Sequence, residues 1–435
     1  MTRAGPQTMH FIPGAPLRGT TRVPGDKSIS HRALMLAALA AGRSRIEGLS
    51  AGGDVAATAA ALRALGAAIE RAGAETMVDG VGVGALLQPA GALDLGNSGT
   101  SARLLMGLAA SHPLALTFTG DASLCRRPME RVATPLRRTG AEIVTAPGGT
   151  LPATVRGLCP AVAQTTRLEI ASAQVKSALL LAGLNAPGVT RVIELAPTRD
   201  HSERMLKLFG ADIAAEGGEI VLRGEAELRP QRLSVPGDPS AAAFLLVAAL
   251  VVPGSEVRIE GVGINPHRTG LFTLLKEMGA DLAFEKEREV SGEPVADIVA
   301  RHSALRAVEV PPELATAMID EFPIFFVAAA FAQGTSRARG LAELRFKESD
   351  RIAAMAAGLG AIGAQVEESG DGLAVRGSGG EALAGGATVE ARLDHRIAMS
   401  FAVAGLHARA PVGIDGFSAA ATSFPGFADT LRSLT

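Results

Sequence analysis

Several basic side chains stand where a cation is ordinarily disfavoured. Arg127 in CRRPMERV, Arg199 in TRDHSERM, and Lys347 and Arg351 in KESDRIAA all fall near the expected start of a helix. Lys27 and Arg32 open the segment KSISHRALMLAALAAG, which is otherwise apolar. A helix N-terminus carries unpaired N–H groups and a partial positive charge, so it attracts phosphate and carboxylate and repels cations. An anionic ligand would account for a cation held there. For one arginine the plainer account is a solvated charge or a partner of a neighbouring Asp or Glu. The same placement recurring along the chain favours a ligand, and the chemistry implied is the binding of phosphate and carboxylate groups.

The elements that position these residues repeat. Five segments, LRALGAAI, LRRTGAEI, LKLFGADI, LKEMGADL and LGAIGAQV, read as an amphipathic helix that ends in Gly-Ala and leads into a strand. Their glycines are Gly66, Gly140, Gly210, Gly279 and Gly363, separated by 74, 70, 69 and 84 residues by subtraction. Each sits where a left-handed residue would close a helix. The terminal SFPGFADTLRSL has the spacing of a sixth such helix without the Gly-Ala. Interleaved with them are KSISHRALMLAALAAG, NSGTSARLLMGLAA, SAQVKSALLLAGLNAPG, DPSAAAFLLVAALVVPG, DEFPIFFVAAAFAQG and DHRIAMSFAVAGLHA. Each starts polar or small and continues apolar on nearly every face, which predicts a helix surrounded by protein. Six units, three per domain, give two similar α/β domains with buried helices inside a shell of sheets and outer helices.

Composition agrees. A chain of 435 residues favours two domains, and 47% hydrophobic with 20% charged residues is ordinary for a globular protein. A formal net charge of -2 and the lack of zinc-finger or RNP spacings argue against a nucleic-acid partner. The longest apolar runs fall short of the roughly eighteen residues that cross a bilayer, so no membrane association is expected. Cys125 and Cys159 suggest neither a disulfide framework nor a metal knuckle, and the N-terminus lacks the apolar core of a secretory signal. A cytoplasmic monomer is expected, with no metal and no cofactor: the eight His show no paired spacing, and His31, His201 and His395 read as structural. No GxxxxGK[ST] loop supports a kinase.

The words PGDKSISHRA, GNSGTSARL, GDASLCRRPM, SAQVKSALLLAGL, RFKESDRI and LDHRIAMSF, in this order between Val23 and Pro425, resemble the EPSP synthase family, and the stretches around SAQVKSALLLAGLNAPG and TRDHSERM resemble its bacterial class II branch. The resemblance implies the enolpyruvyl transferase fold, an inverse α/β barrel-like pair of domains with six βαβαββ repeats. Residues 1–22 and 236–435 would form one domain and 23–235 the other, with the site in the cleft between them. It implies transfer of the enolpyruvyl group of phosphoenolpyruvate (PEP) to the 5-hydroxyl of shikimate 3-phosphate, with glyphosate as an inhibitor.

Carried over position by position, the resemblance places Lys27, Ser28, Arg32, Ser172, Ala173, Gln174, Arg199, Asp320 and Lys347 on shikimate 3-phosphate. It places Lys27, Asn97, Gly99, Arg127, Gln174, Arg351 and Arg396 on PEP. Asp320 matches the proton acceptor at the hydroxyl, and Glu348 a carboxylate next to C3 of PEP, with Lys27 as the alternative acid. A planar guanidinium suits carboxylate and phosphate because it can donate two parallel bonds. Gly99 lacks the methyl group that would intrude on glyphosate, which predicts sensitivity by this criterion.

Two departures stand out. Thr422 occupies the place of a Lys that many relatives have, and the chain has no Tyr to stack on shikimate. The sister enzymes that act on UDP-N-acetylglucosamine carry a Cys five residues before the PEP arginine; here that residue is Ala122, and Cys125 lies only two before Arg127. A non-catalytic phosphate-binding scaffold is the third reading, against which stand the intact Lys27, Asp320, Glu348 and the three arginines.

Overall fold

The computed structural model describes residues 8–435. Residues 1–7, the start of the segment read above as lacking a targeting signal and assigned to the second domain, lie outside the described residues. The chain divides into two compact units. One comprises Gly25–Pro236 with Glu289–Glu293; the other comprises the N-terminal segment through Pro24, Gly237–Arg288 and Pro294–Thr435. The breaks thus fall after Pro24 and Pro236 rather than after residues 22 and 235. The short run Glu289–Glu293, which the sequence places with the second unit, groups with the first because Ser291 Oγ accepts from Ser234 N at 2.9 Å and Glu293 Oε1 lies 2.7 Å from His201 Nδ1.

Each unit has its own apolar core and three small sheets. The plan is clearest in the middle of the first unit. Strand Leu93–Asp94, helix Gly99–Ala110, strand Ala115–Thr119, helix Glu130–Arg137 and the hairpin Glu142–Ala146/Thr150–Arg156 make one βαβαββ repeat with one parallel and two antiparallel pairings. In the first repeat of each unit the parallel strand comes from elsewhere in the chain. Arg232–Ser234 pairs with Gly42–Glu47 in one unit, and Arg18–Thr21 with Glu256–Gly263 in the other. Two sheets of the second unit are thinner than the ideal repeat. In one, the parallel strand shrinks to the bridges Arg306↔Gln333 and Glu309↔Arg337. In the last, Met9–Phe11 pairs with Val412–Asp415, and the chain ends in the helix Phe427–Leu434 instead of a hairpin.

The interleaved apolar segments are helices Lys27–Leu39, Gly99–Ala110, Ala173–Gly183, Pro239–Val251, Phe322–Phe331 and His395–Gly405. Pro239–Val251 and Phe322–Phe331 are buried at every residue. No single described helix is long and apolar enough to cross a membrane. The Gly-Ala closures form as the pattern predicts: Gly66, Gly140, Gly210, Gly279 and Gly363 have φ between 89° and 102°. The alanine after four of them reaches back to the preceding helix, as in Ala211 N to Leu206 O at 2.9 Å. Elsewhere glycine serves close approach. A Cβ on Gly107 would lie 2.3 Å from Ala178 O and 2.5 Å from Ala178 Cα, so the helices Gly99–Ala110 and Ala173–Gly183 meet backbone to backbone.

These two kinds of glycine predict different costs. Gly210→Ala meets nothing closer than 3.8 Å, so it should lose only the left-handed penalty of about 1–2 kcal/mol. Gly107→Ala must displace backbone and should lower the urea midpoint by considerably more; equal shifts would contradict the close approach.

Candidate active site

In the unit containing Gly25–Pro236, Asp26 caps the helix Lys27–Leu39 by accepting from Ile29 N at 2.9 Å. Lys27, its first residue, ion-pairs through Nζ with Asp54 Oδ2 in the first turn of the helix Gly53–Ala64. Ser28 follows, and its carbonyl accepts from Arg32 Nη1 at 2.9 Å. Arg32 is buried. Its Nε donates to Ser202 Oγ and its Nη2 to Ser177 Oγ, each at 2.7 Å, which ties this helix to Ala173–Gly183 and His201–Leu208. His31 is buried too, with Nδ1 2.7 Å from Thr58 Oγ1; burial holds its pKa well below the usual value, with Lys27 and Arg32 adding to the effect. Its neutral form is favoured, and its bond to Thr58 ties the helix Lys27–Leu39 to Gly53–Ala64.

The turn before the helix Gly99–Ala110 brings Asn97 to Arg127. Asn97 Nδ2 donates to Asp121 Oδ2 at 2.7 Å and its Oδ1 accepts from Arg127 Nη2, which also reaches Ser123 Oγ at 3.3 Å. A Cβ on Gly99 would lie 3.0 Å from Arg127 Nη1 and 3.5 Å from Arg103 Nη1, so this glycine is flanked by two guanidinium groups. Ser172 caps the helix Ala173–Gly183, which carries Ala173 and Gln174 in its first turn. Arg199 is half-buried just before the helix His201–Leu208. The neighbouring backbone is held by Thr198 Oγ1 on Glu194 and by the fully buried Lys176, whose Nζ lies 3.0 Å from Glu194 and 2.7 Å from Glu203. Burial raises the Glu203 pKa against the pull of Lys176.

The other unit gathers the remaining predicted residues around Asp320. Arg351 Nη1 stands 3.4 Å, Lys347 Nζ 3.7 Å and Arg396 Nη2 3.8 Å from its carboxylate, and Arg396 Nη1 donates to the Asp320 carbonyl at 2.8 Å. Arg351 is 1% exposed, and Nη2 donates to Glu348 at 2.6 Å while Nε donates to Asp394 Oδ2 at 2.8 Å. Burial alone would lower its pKa; Asp394, Glu348 and Asp320 more than reverse that and raise it. Lys347 goes the other way. Desolvation pushes its ammonium below the usual value, Asp320 opposes, and Arg351 adds to the fall. Among the described residues no group of three or more His, Cys, Asp and Glu is arranged to hold a metal ion.

A family model described as EPSP synthase (3-phosphoshikimate 1-carboxyvinyltransferase) matches residues 12–431. Proteins named 3-phosphoshikimate 1-carboxyvinyltransferase from Sphingopyxis alaskensis and Zymomonas mobilis are 60% and 58% identical, over 98% and 96% of this chain and 97% and 94% of theirs. The chain belongs to the EPSP synthase family. A solved EPSP synthase from Acinetobacter baumannii is 46% identical, covers 98% of each chain and superposes with a TM-score of 0.87. The enolpyruvyl transferase NikO from Streptomyces tendae, at 20% identity and a TM-score of 0.79, shares the fold.

Within this family frame, ten of the predicted site residues lie in the first unit and five in the second. Three partners escaped sequence reasoning: Asp54 on Lys27, Arg103 beside Gly99 and Gln174, and Asp394 on Arg351. Asp394 stands in the LDHRIAMSF word and could have been suspected as a helix cap, since it accepts from Arg396 N at 2.9 Å. Nothing in the spacing marks Asp54 or Arg103. Thr422 donates to Ala419 O at 2.9 Å within its own turn.

Asp394 is 0% exposed and holds a buried arginine, so Asp394→Ala removes a cap and leaves that charge unbalanced. Loss of one member of such a pair costs about 3–5 kcal/mol. Chemical denaturation should show a loss in that range, and a loss below about 1 kcal/mol would mean that Glu348 and Asp320 suffice for Arg351.

Proposed function

We propose that this chain transfers the enolpyruvyl group of PEP to the 5-hydroxyl of shikimate 3-phosphate, releasing phosphate. Membership of the family sets the reaction class; the observation that carries the assignment to residues is the convergence of Lys347, Arg351 and Arg396 on Asp320. Both substrates carry a phosphate and a carboxylate, and burying such charge without partners would be prohibitive. Cations standing 3.4–3.8 Å from Asp320 can exchange that carboxylate for substrate anions at small cost, which leaves its oxygens to receive the hydroxyl proton.

In the reaction the 5-oxygen, losing its proton to Asp320, bonds to C2 of PEP while C3 gains a proton from Lys27 or Glu348. Phosphate then leaves C2 as C3 returns that proton, restoring the double bond. Arg127, Arg351 and Arg396 grip PEP, with Asn97, Gly99 and Gln174 completing its surroundings; Ser28, Arg32, Ser172, Ala173, Arg199 and Lys347 hold the acceptor. The contact of Glu348 with Arg351 at 2.6 Å favours Glu348 as the side chain that moves when PEP takes that arginine.

Phosphate release with PEP should occur with shikimate 3-phosphate and be absent with UDP-N-acetylglucosamine, and Asp320→Ala should lower kcat by at least about a hundredfold. Turnover with the sugar nucleotide would assign the chain to the sister activity, and silence with both acceptors would leave a binding scaffold.

Glyphosate is an inhibitor in the same reading. A methyl group at position 99 would press on Arg127 at 3.0 Å, so Gly99→Ala should raise the glyphosate needed for half-inhibition more than it raises the KM for PEP. A wild type indifferent to millimolar-range glyphosate would overturn this.

A further inference from the structure

We propose that Arg103 is a positioning residue that locks Gln174, the Arg127 loop and the Gly99 turn into one frame and so sets the width of the PEP pocket; this rests on the reading that the chain uses PEP. Arg103 lies four residues beyond Gly99 on the helix Gly99–Ala110, and helical side chains lean back toward the N-terminus, which brings its guanidinium beside the Gly99 turn. It is buried. Nη1 donates to Gln174 Oε1 at 2.6 Å and Nη2 to Pro128 O at 3.1 Å. One rigid, planar group thus restrains a side chain on the helix Ala173–Gly183 and the backbone immediately after Arg127.

The contact also fixes which way Gln174 faces. Arginine can only donate, so the amide must turn its oxygen to Arg103 and its nitrogen outward; that nitrogen donates to Thr100 Oγ1 at 3.1 Å. Gln174 is therefore clamped at both ends by Thr100 and Arg103, three residues apart on one helix. Without the guanidinium the amide is free to flip and Pro128 loses a restraint, while Arg127 and Gly99 themselves are untouched. Burial strengthens both charge-assisted bonds. The same guanidinium stands 3.5 Å from where a Gly99 Cβ would be, so any widening made by a methyl group there is resisted from both sides, by Arg127 and by Arg103.

The test compares Arg103→Lys, Arg103→Met and Gln174→Met with wild type in the phosphate-release assay, each variant first shown to melt cooperatively. Arg103→Met should raise the KM for PEP about tenfold or more, lower kcat less, and move the KM for shikimate 3-phosphate less than that for PEP. Arg103→Lys, which keeps the charge but loses the fork, should recover only part of the loss. Arg103→Met added to Gln174→Met should raise the KM for PEP by much less than it does alone. An unchanged KM for PEP in folded Arg103→Met, equal shifts for both substrates, or fully additive effects would overturn the proposal. Urea denaturation of wild type, Arg103→Met, Gln174→Met and the double variant reads the Arg103–Gln174 coupling without any substrate, and additive midpoints would also overturn it. A wild type that turns over neither acceptor would sink the reading of the preceding subsection, and the denaturation cycle would still decide whether Arg103 holds Gln174.

Discussion

The constraint on which the molecule depends is electrostatic: cations must be kept at helix N-termini, inside protein, in a folded chain that has yet to meet its anionic substrates. The N-terminal dipole and the loss of water both oppose this. The structure meets it with aspartates that serve twice. Asp394 caps the helix His395–Gly405 through Arg396 N and binds the Arg351 guanidinium at 2.8 Å, so one carboxylate satisfies an unpaired N–H and offsets a buried positive charge. Asp54 does a related thing for Lys27 from the first turn of a helix, where the dipole favours its own negative charge.

The fold follows from the need to present many helix starts. A helix whose N-terminus opens to a ligand while its sides are fully buried must be enclosed by sheets and outer helices, and the βαβαββ repeat does this with few residues. Gly-Ala closures return each outer helix to a strand at once, and backbone contact at Gly107 lets two buried helices stand close enough for Gln174 to reach Thr100 and Arg103. Borrowed strands Arg232–Ser234 and Arg18–Thr21 complete the first repeat of each unit.

The parts legible in the sequence were those with a local signature. Glycine at positive φ, an all-apolar helix and a cation before a helix each leave a mark within a dozen residues, and the family's words carry the residues proposed for the site. What stayed hidden is pairing over distance. Lys27 meets Asp54, Arg103 meets Gln174 and Arg351 meets Asp394 only after the helices pack, and no periodicity encodes such a meeting. The thinner sheets of the second unit have the same cause, since whether 306–309 forms a strand or two bridges depends on its neighbour.

The cations rest on two kinds of partner, and in the first unit both occur, since Lys27 there pairs with Asp54. In the contacts described, Arg32, Arg103 and Arg127 rest on Ser177, Ser202, Ser123, Asn97, Gln174 and backbone carbonyls, which are neutral dipoles. Arg351, Arg396 and Lys347 rest on Asp320, Glu321, Glu348 and Asp394, which are charged. A hydroxyl or amide can turn to a new partner at little cost. Under the proposed function, an anion that reaches the second set displaces a carboxylate, which is then a proton acceptor beside the substrate. On that proposal, binding and proton transfer are linked by the same ion pairs.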